Sequence, residues 1–325
     1  MTHSSHRRLI GALVGLGVTC TSITPAMAQI SPPPPAQSDA QTEEIVVTAQ
    51  RSGIPVWRVT GQRGTVVLVG TIRDVAAGTR WDPLPLEAAL ARADVVMFPD
   101  TTGFSLGLFS AIGALGKWRK QATLPKGQTL QALMSADQFA RLVALRNRGV
   151  LKAGFERKHP YHLALTLRGV AAGKAGFGPD ASRYVRRTVK KKKLRMVPMA
   201  QGNSKAVMAE FFGSTARSHV PCLLEMVTTV ETPGAIKARS DAWASRRVPD
   251  VMASVAERAH RKCWPTGSGF DAQRDAALGG TVRALLGRPQ TTVAVISLDA
   301  LAARGGVLDD LVSAGFDVRG PKWKL

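Results

Sequence analysis

Apolar runs with the composition of β-strands lie near both ends of the chain, and the residues between them mostly have helical periodicity. On the N-terminal side, residues 56–59 and 65–70 predict two strands joined by a glycine turn, and residues 94–98 predict a short buried strand. On the C-terminal side, residues 291–296 and 316–319 predict two more strands. We therefore predict an α/β fold, with a mixed sheet built from the N- and C-terminal parts and a large helical insertion between them.

The insertion is predicted to run from about residue 104 to residue 260, with one strand inside it at 194–199. Periodic apolar positions and helix stop signals indicate helices at 84–93, 130–134, 139–145, 160–170, 206–212 and 307–314. No second linker interrupts this pattern. Residues 53–325 are therefore predicted to form one domain.

The N-terminus has the three parts of a secretory signal peptide. Arg7 and Arg8 supply the charge, residues 9–18 are apolar, and residues 26–28 read Ala-Met-Ala, a small-residue cleavage site. Residues 1–28 are thus predicted to be removed on export, which places the mature protein in the periplasm or outside the cell. No later segment has the roughly 20 apolar residues of a spanning helix, so we expect no membrane span.

Residues 29–52 form a predicted flexible tether. Four consecutive prolines, residues 32–35, and the small polar residues after them favour extended structure and bury little. At its end, residues 43–51 resemble the TonB box of outer-membrane receptors. This segment would either add as a strand to an envelope partner protein or form an edge strand of its own domain.

The chain is strongly basic. It has 44 lysines and arginines against 23 acidic residues, a formal charge of +21. For an exported protein, anionic envelope components such as lipopolysaccharide or acidic polysaccharide are more accessible than nucleic acid, so no nucleic-acid partner is predicted. The alternative is that the charge only maintains solubility.

Basic residues are most concentrated between residues 183 and 195. The cluster comprises Arg183, Arg186, Arg187, Lys190, Lys191, Lys192, Lys193 and Arg195. Helical spacing would gather several of them on one side, an arrangement suited to phosphate or lipid headgroups. The alternative is a solvated helix end, where cations interact favourably with the helix dipole.

Two cysteines remain after removal of the signal, Cys222 and Cys263. In an oxidising compartment they are predicted to form a disulfide. Closing a loop of about 40 residues would stabilise the fold by about 3–4 kcal/mol in the chain-entropy model. Two separate free thiols are the alternative.

The two ends of the globular part share the sequence pattern of one family. The stretches are residues 54–59, 67–72, 83–85 and 91–96 at the start, and 292–301, 305–308 and 315–318 at the close. They resemble the TraB/GumN family, which is similar to the Tiki metalloproteases. The resemblance implies a Gly-x-x-His motif after an early strand, a second one near the C-terminus, glutamates after intervening strands, and a divalent metal that activates water.

This sequence departs from the implied metal site at each of its positions. The first motif reads Gly-Thr-Ile-Arg and ends at Arg73, and the second reads Ser-Leu-Asp-Ala and ends at Ala300. The expected glutamates are replaced by Pro99 and Ala200. A guanidinium offers no lone pair to a metal, and neither alanine nor proline has a side-chain ligand. We therefore predict no catalytic residue, no metal and no cofactor at these positions.

An arginine at the first motif suggests that it replaces the charge of the ion. In this hypothesis Arg73 pairs with Asp74, Asp100 or Asp299; otherwise it points into solvent. The predicted function is a catalytically degenerate envelope protein that binds a ligand or acts as a scaffold. The alternative is a peptidase-like, metal-dependent hydrolase with a site rebuilt from these aspartates and His159 or His162.

Four histidines lie outside the signal. Glu156, His159 and His162 are close in sequence and form a weak candidate for a replacement metal site, although Pro160 is sufficiently explained as a helix start. His219 and His260 have no ligand-like neighbours in the sequence, and we expect them at surface or capping positions.

Overall fold

The computed structural model describes residues 53–99, 116, 121–174, 176–199, 209–210, 212–263 and 270–324. The predicted signal peptide, the tether with its TonB-box-like segment, Asp100 and Ala200 lie outside the described residues, as does most of the predicted helix at 206–212. The described residues from 53 onwards belong to one compact unit.

A six-stranded mixed sheet is formed by five strands from the two ends of the chain and one strand, residues 195–199, from within the insertion. Its strands are β1 (Val56–Thr60), β2 (Thr65–Thr71), β3 (Val95–Pro99), β4 (Arg195–Met199), β5 (Thr291–Ser297) and β6 (Val318–Arg319). The strand order is β4-β3-β5-β2-β1-β6. Strands β4, β3, β5 and β2 are mutually parallel, and β1 is antiparallel to both of its neighbours. The predicted α/β class and the joining of the two ends in one sheet are confirmed.

Helices cover the sheet and build the insertion. They are α1 (Leu84–Ala91), α2 (Ala136–Asn147), α3 (Pro160–Ala172), α4 (Ala181–Lys192), α5 (Val220–Glu231), α6 (Ala235–Ala244), α7 (Val248–Ala253), α8 (Val255–Cys263), α9 (Phe270–Leu286), α10 (Leu298–Ala302) and α11 (Val307–Ser313). Residues 130–133 form a 3₁₀ turn instead of the predicted helix. The last strand, predicted at residues 316–319, has only two residues. Within the described ranges, no helix is long and apolar enough to cross a membrane.

The centre of the sheet is apolar on both faces. In β2 and in β5, the five residues between the end residues are all buried, as expected for parallel strands covered by helices on both sides. Gly70 near the end of β2 is required by this packing, since a Cβ there would lie 2.9 Å from both Trp57 and Leu298. Trp57 is fully buried, and its indole N–H donates to the carbonyl of Pro321, 2.8 Å away.

The helical insertion has a hydrophobic core of its own. Leucines of α2 and α3 pack against one face of α5, and Ala259 of α8 joins the same cluster. The sulfur atoms of Cys222 on α5 and Cys263 on α8 lie 2.15 Å apart, at disulfide distance. The predicted cysteine pair is thus the covalent link between these two helices.

Candidate functional site

A cleft of about 170 Å³ lies between the end of β2 and the helices of the insertion. Arg73 and Asp74, the residues just after β2, form one wall. The other walls come from α3, α5, α6 and α8, and the Cys222–Cys263 pair lies in one of them. Clefts outside the carboxyl ends of parallel strands are the usual ligand-binding places of α/β sheets. This cleft is therefore the candidate site.

Two hydrogen bonds to helix α6 fix the position of the loop after β2. The indole N–H of Trp243 donates to the carbonyl of Gly70 over 2.9 Å, and the backbone N–H of Ala76 donates to the hydroxyl of Ser240 over 2.9 Å. Both Trp243 and Ser240 are fully buried. Because these bonds lie on either side of Arg73, the position of the cleft wall depends on α6.

Arg239 on α6 is the central buried cation of the site, with 1% of its surface exposed. Its guanidinium donates to the backbone carbonyls of Arg73 and Asp74 and, over 3.0 Å, to the carboxylate of Glu257 on α8. Glu257 is equally buried, and burial raises the pKa of its carboxyl although Arg239 opposes this. Removing either partner would leave an uncompensated charge in the interior.

Asp74 is held by a two-point ion pair with Arg168 of α3, in which both carboxylate oxygens accept a guanidinium N–H. Burial alone would raise the pKa of Asp74, but the hydrogen bonds and charge of Arg168 outweigh it and lower the pKa below 3.8. The backbone of Asp74 is left-handed, with a φ of 56°. Aspartate tolerates this conformation better than most residues.

His260 of α8 lies in the cleft, contrary to the expectation of a surface or capping position. Its pKa is lowered to about 4, first by burial and then by the charges of Arg239, Arg73 and Arg168, while Asp74 acts in the opposite direction. The imidazole is therefore neutral at pH 7 and offers one N–H donor and one acceptor nitrogen. No sequence signal marked His260, because its charged neighbours come from three other segments.

The residues at the end of β5 do not present the side chains of a metal-binding strand end. Ser297 caps α10 by accepting the N–H of Ala300 over 3.3 Å, and the side chain of Ala300 is fully buried. Asp299 forms ion pairs with Arg261 over 3.8 Å and with Arg274 over 3.6 Å. The carboxylate of Asp299 at this strand end is thus paired with arginines.

The side chains at this edge do not fit a divalent metal. In the described part of the chain, no group of three or more His, Cys, Asp or Glu residues is placed to hold an ion. Arg73 is exposed at the cleft, and Ala300 has no ligand atom. The cations that engage Asp74 and Asp299 include Arg168, Arg261 and Arg274. The specific pairing proposed for Arg73 from the sequence stays a prediction.

The histidines at the start of α3 form a second polar cluster. The ring of His159 lies 6.2 Å from that of His162 and 5.1 Å from that of His219. His219 is the N-cap residue of α5, so the capping position predicted for it is confirmed. Nδ1 of His159 accepts the N–H of Tyr161 and caps the helix. Burial and the two neighbouring imidazoles lower the pKa of His159 to about 4. His159 thus caps the start of α3, as Pro160 indicated.

The predicted basic cluster lies on α4 and at the start of β4, and we call it the α4 cation surface. Ala181, Val185 and Val189 are buried in the core, and the exposed residues of the helix are all cations. All eight side chains, those of Arg183, Arg186, Arg187, Lys190, Lys191, Lys192, Lys193 and Arg195, are exposed. None of them takes part in the ion pairs between described residues.

The mixed sheet with a cleft beside the end of a parallel strand and a helical insertion above it defines an α/β protein with a cation-lined site. The chain belongs to the TraB/PrgY/gumN family, whose model matches residues 55–320. This confirms the family resemblance seen in the sequence. No significant match was found among curated proteins or among solved structures.

Proposed function

We propose that this chain is an exported, non-hydrolytic member of its family that binds a phosphate-bearing lipid surface of the cell envelope. The observation that carries the proposal is the α4 cation surface, with eight exposed cations, none of which forms an ion pair with a described carboxylate. Arginine and lysine near an anionic membrane each contribute about 1 kcal/mol to binding. A cluster of this size is enough to hold a protein on such a surface.

The density of cations on α4 supports this assignment. Elsewhere on the described surface, some basic residues form ion pairs, such as Lys237 with Asp241 and Arg319 with Asp317, and others, such as Arg146, are exposed outside any described ion pair. On α4, the acidic residue closest in sequence is Asp180, which is engaged in capping the helix N-terminus through the N–H of Arg183. Positive charge therefore accumulates along the helix towards its C-terminal end, where Lys190, Lys191 and Lys192 lie.

The non-hydrolytic part of the proposal rests on the chemistry of the cleft. Metal-activated water requires lone-pair ligands and an open coordination position. Here a guanidinium stands at the first motif, and the described aspartates Asp74 and Asp299 are bound to arginines. Breaking those pairs to release carboxylates for an ion would leave the arginines without their partners.

Vesicle binding tests the first part. Sedimentation with phosphatidylcholine vesicles, with and without anionic phosphatidylglycerol or lipopolysaccharide, should show binding only to the anionic vesicles and less of it at high salt. The variant K190Q/K191Q/K192Q should bind roughly a hundredfold more weakly, at about 1 kcal/mol per lysine.

The matched control is R146Q/R148Q/K152Q, which removes the same charge from exposed residues at and after the end of α2. It should retain nearly all of the binding. Equal losses in the two variants would mean that only net charge matters, and binding to a soluble acidic polysaccharide but not to vesicles would also contradict the proposal.

Metal content tests the second part. The protein, purified without chelator and incubated with manganese, cobalt or zinc, should retain no stoichiometric ion by mass spectrometry. Retention of one ion that is abolished by Asp299→Ala or His159→Ala would replace the proposal with a metal-dependent hydrolase that uses a rebuilt site.

A further inference from the structure

The edge strand β4 exposes an apolar side chain next to the α4 cation surface. Side chains of a strand alternate between the two faces of the sheet, so Met196 and Pro198 lie on the same face. Both are exposed, and 53% of the surface of Met196 is accessible. A single exposed methionine is ordinary, so its surroundings decide what it can bind.

The pairing of β4 with β3 identifies the side of the sheet on which Met196 lies. Met196 is paired with Val96 in parallel register. Pro198 is paired with Phe98 in the same way, and paired residues point to the same face of a sheet. The guanidinium of Arg186 on α4 lies over the ring of Phe98, 4.2 Å from its centre. Met196 is therefore on the side of the sheet that α4 covers.

One flank of α4 is directed towards this edge of the sheet. On the opposite flank, the hydroxyl of Tyr184 donates to Glu87 of α1. Successive residues of a helix are about 100° apart, so Arg186 lies about 200° around the helix from Tyr184. Lys190 follows one turn after Arg186 on the same flank, and both are exposed. The flank of α4 that faces the β4 edge thus carries cations.

The lysines at the end of α4 are also close to Met196 along the chain. Helix α4 ends at Lys192, and β4 begins at Arg195. Between them Lys193 turns the chain with a left-handed φ of 53°. The last turn of α4 and Met196 therefore lie at the same end of β4.

We propose that Met196 enters the boundary between headgroups and acyl chains of an anionic bilayer while the α4 cation surface binds the lipid phosphates. This inference rests on the proposed function and adds the orientation of the bound protein, with the β4 edge towards the membrane. Proteins that lie on membranes combine buried apolar area with attraction to anionic lipids in this way.

The observations favour a bilayer over a protein that pairs with the edge strand. The exposed residues of α4 are all cations, which complements a surface of lipid phosphates. Pro198 has no N–H to donate, so β4 is poorly suited to accept another strand. A free phosphate ion would give the neighbouring apolar side chain nothing to bind.

Sedimentation with phosphatidylglycerol vesicles tests the role of the side chain. Met196→Gln should bind roughly fivefold more weakly, because it loses the transfer of a half-exposed apolar side chain from water. Met196→Leu remains apolar and should bind like the parent. The control Val312→Gln removes an apolar side chain that is 46% exposed on α11, the helix before β6 at the opposite edge of the sheet. It should leave the binding unchanged.

A fluorophore sensitive to its environment, attached through Met196→Cys, reports insertion directly. On phosphatidylglycerol vesicles its emission should increase and shift to shorter wavelength, and lipids that carry a spin label near the headgroup should quench it. The same fluorophore attached through Val312→Cys should keep the emission that it has in water.

The two measurements separate this inference from the proposed function. Binding to anionic vesicles with an unquenched label at position 196 would overturn the insertion of Met196 and leave binding by the cations intact. Equal binding by Met196→Gln and the parent, or equal quenching at both labelled positions, would overturn it as well. If the parent chain does not bind anionic vesicles at all, the proposed function fails and the insertion fails with it.

Discussion

Asp74 in the loop after β2 and Arg168 on α3 are 94 residues apart in the sequence and form a two-point ion pair across the cleft. The pair connects the sheet to the helical insertion, which otherwise packs around a hydrophobic core of its own. It is therefore one of the polar contacts that set the position of α3 relative to the loop after β2.

Replacing Arg168 with glutamine should lower the free energy of unfolding by about 1 kcal/mol, measured by urea denaturation at pH 7. The effect is moderate because the side chain of Arg168 is 43% exposed and water screens the pair. Arg146→Gln, an exposed arginine outside any described ion pair, serves as the control and should change the stability little. Equal stability of Arg168→Gln and the parent chain would contradict this role of the pair.

The Asp74–Arg168 pair also predicts how the stability of the protein changes at low pH. Because the pKa of Asp74 is below 3.8 in the folded state, its contribution is complete above pH 3.8 and is lost as the pH falls through the lower folded value. The difference in stability between Arg168→Gln and the parent should therefore shrink at pH values well below 3.8. A difference that persists unchanged in strong acid would show that it arises from packing of the arginine stem.

His260 should make the protein less stable between pH 6.5 and pH 4. Its folded pKa of about 4 lies below the ordinary 6.5, so in this window the unfolded state binds the proton and the folded state does not. Stability then falls as the pH is lowered, by on the order of 3 kcal/mol for this residue. Urea denaturation of His260→Asn should show a flatter pH dependence, whereas Lys262→Gln on the same helix should keep the slope of the parent.

The Cys222–Cys263 link should be a major source of stability. Replacing both cysteines with alanine should lower the free energy of unfolding by about 4 kcal/mol, the chain-entropy value for a separation of 41 residues. A reducing agent should destabilise the parent similarly and leave the double variant unaffected. If the parent is insensitive to reduction in thermal unfolding, the bond does not form in solution.

Two glycines should respond in opposite ways to alanine. Gly70→Ala places a Cβ 2.9 Å from Trp57 and Leu298 in the core, so it should destabilise the protein by about 1–3 kcal/mol through overpacking. Gly169→Ala on α3 meets nothing within 4 Å and should stabilise the protein by up to about 1 kcal/mol through helix propensity. Calorimetry of the two variants checks both signs.

The elements of the sheet could be predicted because their signals are local. Near-continuous apolar runs identify β2 and β5, and no distant contact is needed to recognise them. The cysteine pair followed from composition and from the predicted export. Helix α2 was predicted too short at its start, since its first turn is fixed by a capping box between Ser135 and Gln138 and not by apolar periodicity.

The cleft could be predicted only in part, because most of its chemistry is nonlocal. Arg73 and Asp74 were identified from their place after β2. Arg239 carried no local signal, since its burial depends on Glu257 eighteen positions later and on the backbone of the β2 loop. His260 was assigned to a surface or capping position for the same reason.

The two edges of the sheet are protected against pairing with another chain. Strand β6 at one edge has two residues, and β4 at the other carries the exposed Arg195 and, at Pro198, a residue with no N–H to donate. The cations proposed to hold lipid phosphate therefore lie next to an edge strand that is already blocked against pairing. Charge repulsion between copies at this edge would keep the protein dispersed until an anionic surface neutralises it, so that the same lysines and arginines would govern both solubility and local crowding on the envelope.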